Sequence, residues 1–521
     1  MKAAAVLSAC TMVWSSLLLL PLGVSLSIQS PLLSERQSAT INVPATVPNT
    51  ASDVVDHGYP GFAISGHSFQ EYAGNISVPN IFSRNLIQTI SDRTGAPVQI
   101  RVGGTSADFA VYDPNQRTAL TLPSNAVPGG IPKGMRLGTA WFEGFASFPG
   151  VQWTYMVKLA NFSAKQNAVA GAREAMKYIG DNLEALEVGN EIDFYPNVNR
   201  PGTYNPVAYL KEWNEYKDAL TTAIGMKKYQ APVYYGNNCP WCIANTFEKG
   251  QGDATTIRSA ALHHYMESTN NPSITLQKNY MNHTRIAQKL DPYKAPVAWL
   301  KTNRPRIPIY LAEVNSNTFS SDNEATLGVF GSALWLVDYM LYGMTLNFKR
   351  MNVQQSTGFA YTSWRGVEYF GKPAAVLPPY YAHPFVADVI GNSGDIRIAD
   401  LKLGQDLLSA YAIYNSAGRI TKIVLINLQE WSASSNTIRP SRTVNFKAGT
   451  YSGNVKVEKL TAAGGANVQD ASKISWKGDS WTFQSNGRPV KTASTTQTIR
   501  ASNGVMTTTV RASEALLLTL A

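Results

Sequence analysis

The segment Leu183-Glu184-Ala185-Leu186-Glu187-Val188-Gly189-Asn190-Glu191 decides the fold that this chain is expected to adopt. It begins with a largely apolar run, as in a buried strand, and the run stops at a glycine. An amide and a carboxylic acid then stand side by side. Polar residues directly after a parallel strand lie at the carboxyl edge of the sheet, which is the catalytic edge of an eight-stranded barrel.

A second segment, Ile307-Pro308-Ile309-Tyr310-Leu311-Ala312-Glu313, repeats this arrangement, because a buried-looking strand again ends in a carboxylate. Glycoside hydrolysis requires two such groups: one protonates the leaving oxygen, and the other attacks the sugar or activates water. We therefore expect a glycosidase with Glu191 as the acid/base and Glu313 as the nucleophile. Alternatively, both carboxylates lack a chemical role. Glu187 is the next candidate, because it shares a strand face with Glu191.

The wider pattern predicts an α/β fold, a (β/α)8 TIM barrel followed by a C-terminal antiparallel β-sandwich domain. Short apolar segments alternate with longer helical segments, which indicates βα units and a parallel sheet. Helices are predicted at 164–179, 206–224 and 323–342. The eight predicted strands cover 61–65, 98–102, 151–159, 183–188, 232–236, 259–265, 307–312 and 344–352.

The hydrophobic pattern becomes alternating beyond a proline-rich stretch at 373–384. Alternating segments there flank turn residues at 415–418 and 477–480, which are signals of β-hairpins. We expect four parts in the chain. They are a signal peptide at 1–27, a linker at 28–54 with a strand that pairs with the C-terminal domain, the catalytic barrel at 55–385 and the β-sandwich domain at 386–521.

The N-terminus has the composition of a secretory signal peptide, since Met1-Lys2 precedes an apolar run that ends in small residues near Leu26. A membrane anchor is the alternative. No later run is long and uncharged enough to span a bilayer. We expect a secreted, extracellular monomer that leaves the membrane when the signal is removed. N-glycosylation motifs at Asn75, Asn161 and Asn282 fit this interpretation.

The cysteines do not predict a metal site or a redox enzyme. Cys10 leaves with the signal peptide, and Cys239 and Cys242 remain. A single CxxC without a second one or a nearby histidine pair is too little for zinc. Its place deep in a long chain is also unlike that of a thioredoxin-type motif. A local disulfide and two unpaired thiols both stay open.

The net charge of +10, from 45 basic and 35 acidic residues, favours polyanionic partners. No Lys/Arg cluster or basic–aromatic motif typical of nucleic-acid binding occurs, so that class is excluded. The charge is compatible with an acidic carbohydrate substrate. A basic surface without a particular partner is the alternative.

Four motifs resemble one known family. They are Ile100-Arg101-Val102-Gly103-Gly104-Thr105-Ser106-Ala107-Asp108-Phe109, Gly189-Asn190-Glu191, Leu262-His263-His264-Tyr265 and Ala312-Glu313. Their order and approximate spacing resemble glycoside hydrolase family 79, the β-glucuronidases and heparanases, and most of all its fungal secreted branch. The resemblance implies a retaining enzyme that releases glucuronic acid or 4-O-methylglucuronic acid.

The resemblance also implies roles for three other residues. Tyr265 matches a tyrosine that hydrogen-bonds the nucleophile. Gly358 and Tyr361 are the candidates for the glycine and tyrosine that receive the sugar carboxylate, although their spacing differs from the expected Gly-x-Tyr. Thr318 stands where a tyrosine often follows the nucleophile.

Polar residues near other strand ends are candidates for sugar binding. Asn190 is expected to hydrogen-bond the 2-hydroxyl, and Thr105, Asp108 and Asn237 to bind other hydroxyls. A turn threonine, a capping aspartate and a loop amide are the alternative interpretations of these three residues. The adjacent histidines at 263 and 264 point to opposite faces of a strand, so neither a metal nor another cofactor is expected.

The leading hypothesis is an exo-acting β-glucuronidase that trims polysaccharide or proteoglycan side chains. An endo-acting, heparanase-like enzyme would need an open cleft, and the loops at 111–139 and 192–205 decide between the two. A glycan-binding protein without activity is a hypothesis of another class. A barrel arabinofuranosidase or xylosidase would use the same two glutamates.

Overall fold

Eight parallel strands close into a barrel and are numbered β1 to β8 in chain order. They are Pro60–Ser65, Gln99–Gly103, Gln152–Val157, Leu183–Val188, Tyr229–Tyr234, Ile257–Ser268, Ile309–Thr318 and Arg350–Gln355. Each strand pairs with the next and β8 pairs with β1. The predicted barrel is therefore confirmed. This computed structural model describes residues 38–268, 271–318 and 323–520, so the predicted signal peptide lies outside the described residues.

Helices separate the barrel strands along the chain. None of the described helices is both long and apolar enough to cross a membrane. The α-helices are Phe69–Ala73, Ile81–Thr94, Thr105–Asp108, Thr139–Phe142, Lys165–Ile179, Pro206–Ile224, Ile243–Glu248, His283–Leu290, Lys294–Asn303, Glu324–Leu327, Phe330–Thr345 and Ala382–Ile390. Shorter 3₁₀ segments are Glu143–Ser147, Phe162–Ala164, Gly180–Asn182, Ile192–Phe194, Asp291–Tyr293, Pro378–Tyr381, Ala433–Ser435 and Ala471–Lys473, and Leu276–Tyr280 is a π-turn.

The helix Pro206–Ile224 has the bounds that its sequence signals predict. The Asn205 side chain accepts hydrogen bonds from the backbone N–H groups of Val207 and Ala208, which caps the first turn. Pro206 fits that turn because its missing N–H would have had no partner in the helix. Gly225 ends the helix at φ 77°, a conformation that glycine adopts without strain.

The end of the barrel differs from the prediction. The expected strand 344–352 starts inside the helix Phe330–Thr345, and β8 begins only at Arg350. Nearly every residue of this helix is buried, so its sequence lacks a polar face to mark where the helix ends. β7 also extends beyond its predicted end, to Thr318, so Glu313 lies within the strand rather than after it.

Two sheets form the C-terminal β domain. The larger sheet runs Ile396–Asp400, Leu408–Asn415, Ile420–Asn427, Glu514–Leu520, Gly453–Ala462, Ile474–Trp476, Asp479–Trp481 and Pro489–Lys491, with Gln497–Ala501 paired to Gly453–Ala462. The smaller sheet joins Ser38–Val43, Ser441–Ala448 and Val505–Arg511. Three other short strands, Val111–Tyr112, Leu120–Thr121 and Arg136–Leu137, pair beside the barrel, as do Trp364–Arg365 and Ala375–Val376.

The N-terminal strand Ser38–Val43 joins the C-terminal domain. It pairs in parallel with Ser441–Ala448, so the domain is not wholly antiparallel. Ile41 and Val43 are buried in the same apolar cluster as Phe446 and Leu516, which lie on the two sheets. Apolar side chains from both sheets therefore share one core, as in a sandwich.

The predicted hairpin around 477–480 forms with a shorter turn. Trp476 pairs with Asp479, so the turn is Lys477-Gly478 and the second strand is Asp479–Trp481 rather than 481–483. Lys477 and Gly478 both have positive φ angles, 47° and 90°. Two-residue hairpin loops favour this backbone because its twist matches that of the strands.

A buried charged cluster joins the barrel to the C-terminal domain. His283 Nδ1 lies 2.9 Å from Asp338 Oδ2, and the Tyr411 hydroxyl donates to Asp338 Oδ1 at 2.6 Å. His283 and Asp338 lie on helices of the barrel, whereas Tyr411 lies in the larger sheet. Burial lowers the pKa of His283, but the charges of Asp338 and Asp400 outweigh it and raise the pKa to about 9.

The raised pKa of His283 predicts a pH-dependent stability. The folded value of about 9 exceeds the usual 6.5, so the contribution is complete below pH 6.5 and is lost as pH rises through 9. His283→Gln should lower the free energy of unfolding by about 2–4 kcal/mol at pH 6, and by much less at pH 10. Denaturant titrations at both pH values measure this. His57→Gln, at a histidine whose Nδ1 faces the Thr94 carbonyl, is the control. Equal losses at both pH values would contradict the proposed charge pair.

Candidate active site

The carboxyl ends of the barrel strands surround a cavity of about 230 Å³. Its deepest residues are buried, whereas Phe194 at its mouth is 51% exposed. A cavity at this end is where a barrel of this type carries its active site. The lining residues are Ser65, Gly104, Thr105, Ser106, Ile131, Glu191, Phe194, Tyr235, Tyr265, Ser268, Glu313, Thr318, Gln354, Phe359 and Tyr361.

The structure brings the two predicted glutamates together in this cavity. One oxygen of Glu191, one of Glu313 and a ring nitrogen of His263 lie within 4.8 Å of one another. Glu191 follows β4 in a left-handed conformation at φ 49°, two residues after Gly189, which also has a positive φ. Left-handed backbone is uncommon for residues other than glycine, and such outliers cluster at functional sites.

Irregular pairing of β6 and β7 aims the side chains at the cavity. The register shifts between Leu262 and His263, so that His263 stands opposite Glu313. The pairing of β7 with β8 also changes register, between Leu311 and Val314. Bulges of this kind turn side chains away from the regular alternation of a strand. They allow Glu313 to enter the cavity from within the strand.

Both oxygens of Glu313 are held by donors. The Tyr265 hydroxyl donates to Oε1 at 2.7 Å, and Arg101 Nη1 donates to Oε2 at 2.5 Å. Burial alone would raise the pKa of Glu313, but the charges of His263 and Arg101 and these hydrogen bonds lower it below its usual range. Glu313 is therefore ionised and fixed in position, as a nucleophile must be.

Arg101 is the residue that sequence reasoning missed. Its guanidinium is completely buried and donates to Glu313, to Glu187 Oε1 and to Asn190 Oδ1, the last at 2.8 Å. Glu187, the alternative carboxylate, is 0% exposed and does not line the cavity. A signal was present, because an arginine within the apolar strand 98–102 needs a buried carboxylate partner.

A polar chain continues below the cavity. Gln230 Nε2 donates to Glu187 Oε2 at 2.6 Å, and the Ser259 hydroxyl donates to Gln230 Oε1 at 2.9 Å. Together with Arg101 on β2, these hydrogen bonds link β2, β4, β5 and β6 inside the barrel. Hydrogen bonds satisfy these buried groups, which makes a polar layer tolerable in a barrel interior.

His263 supports Glu191. Its Nδ1 lies 2.9 Å from Glu191 Oε1, and its ring is completely buried. Burial lowers the pKa of His263, but the charges of Glu313 and Glu191 outweigh it and raise the pKa. His264 points away from the cavity, with Nδ1 2.7 Å from the Tyr339 hydroxyl, as expected for neighbours on a strand.

The same three groups are a possible donor set for a metal. Two carboxylates and an imidazole can bind a divalent ion, and Glu191, His263 and Glu313 are close enough. However, both oxygens of Glu313 already accept hydrogen bonds, one of them from the cation Arg101. The charge of that guanidinium opposes a metal cation at this position.

The predicted hydroxyl-binding residues divide into two groups. Thr105 lines the cavity, and its hydroxyl lies 3.5 Å from Asn190 Nδ2. Asp108 instead accepts hydrogen bonds from the backbone of Leu159, at 2.7 Å, and of Asn190, at 3.4 Å, and from Tyr195. Its side chain is occupied in holding Asn190 and the loop after β3. The structure therefore favours a structural role for Asp108, although the residue bonds loop backbone and does not cap a helix.

The remaining predictions differ in how close they lie to the cavity. Tyr361 lines it, and its ring centroid is 6.4 Å from that of Tyr265. Gly358 lies in a neighbouring hollow, where an added Cβ would come within 2.7 Å of Gly129. Asn237 accepts a hydrogen bond from the Ile243 backbone at 2.9 Å and does not line the cavity, which favours a loop amide.

Other hydroxyl and amide groups at the bottom of the cavity were not anticipated. Gln354 Nε2 donates to Ser65 Oγ at 2.7 Å. His67 bridges Ser106 Oγ, at 3.0 Å, and Ser356 Oγ, at 3.1 Å, and burial lowers its pKa to about 4. This histidine is therefore neutral at ordinary pH. Single serines and glutamines carry too little sequence signal to be selected without the fold.

The loop after β5 carries the two cysteines. Cys239 and Cys242 form a disulfide, which decides between the two alternatives left open by the sequence. Trp241, between them, packs against Tyr204 and Tyr234 at centroid distances of 5.7 Å. The disulfide loop is therefore packed, through Trp241, against aromatic side chains of β5 and of the loop after β4.

Replacement of Arg101 should affect both the stability of the protein and its activity. Arg101→Met leaves Glu187 and Glu313 buried without their cation, so the free energy of unfolding should fall by about 3–5 kcal/mol. Arg101→Lys keeps a positive charge but loses the planar set of donors that contacts both carboxylates. The pKa of Glu313 should then rise, which moves the acid limb of the pH–rate profile to higher pH. Denaturant titrations and pH–rate profiles measure these effects. Arg258→Met, at an exposed arginine of β6, is the control. Unchanged stability in Arg101→Met would contradict this role.

Known proteins are similar to this chain in sequence. Residues 410–517 match the model of the glycosyl hydrolase family 79 C-terminal beta domain. A protein of Aspergillus niger named beta-glucuronidase is 30% identical over 487 residues, covering 88% of this chain and 89% of that protein. A protein of Neurospora crassa with the same name is 28% identical, covering 88% and 90% of the two chains.

Solved structures show the same architecture. A 4-O-alpha-L-rhamnosyl-beta-D-glucuronidase from Fusarium oxysporum superposes with a TM-score of 0.78 and 24% identity over 92% of this chain and 100% of the other. A family 51 arabinofuranosidase from Xanthomonas axonopodis pv. citri gives a TM-score of 0.62 with 13% identity, at 92% and 100% coverage. At these identities the likeness concerns the fold. Because of its long match to the Aspergillus protein and its C-terminal domain, the chain belongs to glycoside hydrolase family 79 and is a glycoside hydrolase.

Proposed function

We propose that this glycoside hydrolase is a secreted, retaining exo-β-glucuronidase, with Glu313 as the nucleophile and Glu191 as the acid/base. The observation that carries the proposal is the approach of the two carboxylates to within 4.8 Å in one cavity. Both relatives described above are named beta-glucuronidase. Glucuronic acid or its 4-O-methyl form, at the ends of polysaccharide or proteoglycan side chains, is the sugar that we propose is attacked by Glu313 and then released.

The separation of the carboxylates favours retention. Retaining enzymes keep the two groups about 5–5.5 Å apart, whereas inverting enzymes need about 6.5–9.5 Å to admit a water molecule. Glu313 attacks the anomeric carbon while Glu191 gives its proton to the glycosidic oxygen. Glu191 then removes a proton from the water that releases the sugar. His263 holds Glu191 for both steps.

Tyr265 and Arg101 divide the support of the nucleophile. As Glu313 bonds to the sugar it loses negative charge, and the Tyr265 hydroxyl then faces the new ester. Burial, followed by the charge of Glu313, raises the pKa of Tyr265 well above its usual value, so the phenol stays protonated and can donate. Asn190, held by Arg101, has its amide nitrogen available near Thr105 for the 2-hydroxyl.

A uronate would be recognised here by neutral donors. Among the described residues that line the cavity, none is a lysine or arginine. Burial raises the pKa of Tyr361 well above its usual value, so its hydroxyl remains a donor for a sugar carboxylate. Gly358 lies in the neighbouring hollow, and we therefore assign the carboxylate to Tyr361 without Gly358.

Contact between two loops supports exo action. The backbone N–H of Gly129, in the loop at 111–139, donates to the Tyr369 hydroxyl at 3.0 Å. Gly129 also lies against Gly358, in the segment after β8. Ile131 and Phe359, from the same two segments, line the cavity. The contact brings the two segments together beside the cavity, which favours a pocket for a terminal sugar over a cleft for the middle of a chain.

Comparison of aryl glycosides tests the substrate. We expect p-nitrophenyl β-glucuronide to be hydrolysed with a kcat/KM at least about 100-fold above those of the β-glucoside, β-xyloside and α-arabinofuranoside, because groups placed for a carboxylate lose their partner in the neutral sugars. Release of p-nitrophenol measures the rates. Faster hydrolysis of a neutral pentoside would contradict the substrate assignment. Shortening of heparan sulfate chains, without release of terminal sugar, would contradict exo action.

Variants of the two glutamates test the mechanism. Glu313→Ala should lower turnover by more than about 10⁴-fold, and azide should restore it by forming a glycosyl azide of inverted anomeric configuration. Glu191→Gln should lose about 10²–10⁴-fold on poor leaving groups and much less on activated aryl glycosides in forming the covalent intermediate. Product NMR and pre-steady-state kinetics measure these outcomes. The substitution Glu184→Gln, at a partly exposed glutamate of β4, is the control. Absence of azide rescue in folded protein would argue against Glu313.

A further inference from the structure

Two aromatic side chains stand beside the acid/base at the mouth of the cavity. Phe194 and Tyr235 both line the cavity, and their ring centroids are 5.0 Å apart with an angle of 40° between the planes. Phe194 is 51% exposed although it is large and apolar. Ligand pockets are lined mainly by apolar and aromatic side chains, and this pair extends such a lining to the exposed edge of the cavity.

The two ends of the cavity differ in the exposure of their side chains, and this difference indicates how a substrate would lie. Ser106, Gln354 and Tyr361 at one end are no more than 3% exposed. Because Tyr361 is the proposed partner of the sugar carboxylate, the proposed function places the reacting sugar at that end. The leaving group is attached to the oxygen that Glu191 protonates. It must therefore extend from Glu191 towards the mouth, where Phe194 lies.

Hydrogen bonds fix this aromatic pair to the loop after β4, which carries Glu191. Asp193 Oδ1 accepts from the Tyr235 backbone at 2.9 Å, and Oδ2 accepts from the Gly236 backbone at 3.1 Å. The backbone N–H of Phe194 donates to the Glu191 carbonyl at 2.9 Å. The loops after β4 and β5 are thus joined, and the two rings keep their position relative to the Glu191 carboxyl.

We propose that Phe194 and Tyr235 form the leaving-group subsite, which binds the apolar face of a pyranose or an aryl ring attached to the departing oxygen. This inference rests on the proposed role of Glu191. The C–H groups on one face of a pyranose carry partial positive charge and pack on the negative face of an aromatic ring. The Tyr235 hydroxyl, which has no partner among the described residues, is available to a sugar hydroxyl.

Two substrates and one exposed position test the subsite. The substrates are glucuronic acid β-linked to galactose, which reaches the aromatic pair, and methyl β-glucuronide, which does not. Phe194→Ala should lower kcat/KM for the disaccharide by about tenfold and for the methyl glycoside by less than about twofold. Phe194→Trp should retain the rate on the disaccharide. Val198→Ala, at a 66% exposed valine of the same loop, is the matched control and should change neither rate.

The outcomes separate this subsite from the proposed function. Equal losses on both substrates in Phe194→Ala would show that the ring supports the catalytic loop and would overturn the subsite. Unchanged rates on both would place the leaving group elsewhere and would also overturn it. If the wild-type enzyme hydrolyses neither glucuronide but cleaves other glycosides, the proposed substrate itself fails. Inhibition by free glucuronic acid should be the same in wild type and Phe194→Ala, because that sugar occupies the deep end.

Discussion

The buried guanidinium of Arg101 is the group on which the site depends. It lies between two carboxylates, Glu187 below and Glu313 above, and also holds the Asn190 amide. Burying one arginine with two glutamates requires the removal of three charged groups from water, so such a cluster is weak evidence for stability. Its effect is positional, because a planar fork with several donors fixes the direction of each partner.

The two proposed catalytic glutamates are supported in different ways. Glu313 is held on both oxygens and is kept ionised by the positive charge around it. Glu191 instead stands on a left-handed residue after β4, with one oxygen facing His263. A nucleophile must keep its charge and direction, whereas an acid/base must exchange a proton in each step. Glu313 is therefore held more firmly than Glu191, by hydrogen bonds to both of its carboxylate oxygens.

Charge on the whole molecule and charge in the cavity differ in sign. The chain carries a net charge of +10, but the charged side chains lining the cavity are glutamates. Recognition of an acidic sugar would therefore rely on hydroxyl donors such as Tyr361 rather than on a cation. Neutral donors hold a carboxylate without an additional positive charge close to Glu313, whose state the mechanism depends on.

The sequence by itself determined the barrel, the C-terminal β domain and the choice of Glu191 and Glu313 as a pair of carboxylates. Periodicity and turn residues are local, and a strand followed by Gly-Asn-Glu is visible without the fold. The tertiary structure alone decided that Asp108 supports a loop, that Gly358 lies in another hollow and that Arg101 links Glu187 to Glu313. These facts depend on contacts between distant segments and on bulges that re-aim side chains. A pattern along the chain cannot give them, because barrel closure and register fix which strands meet.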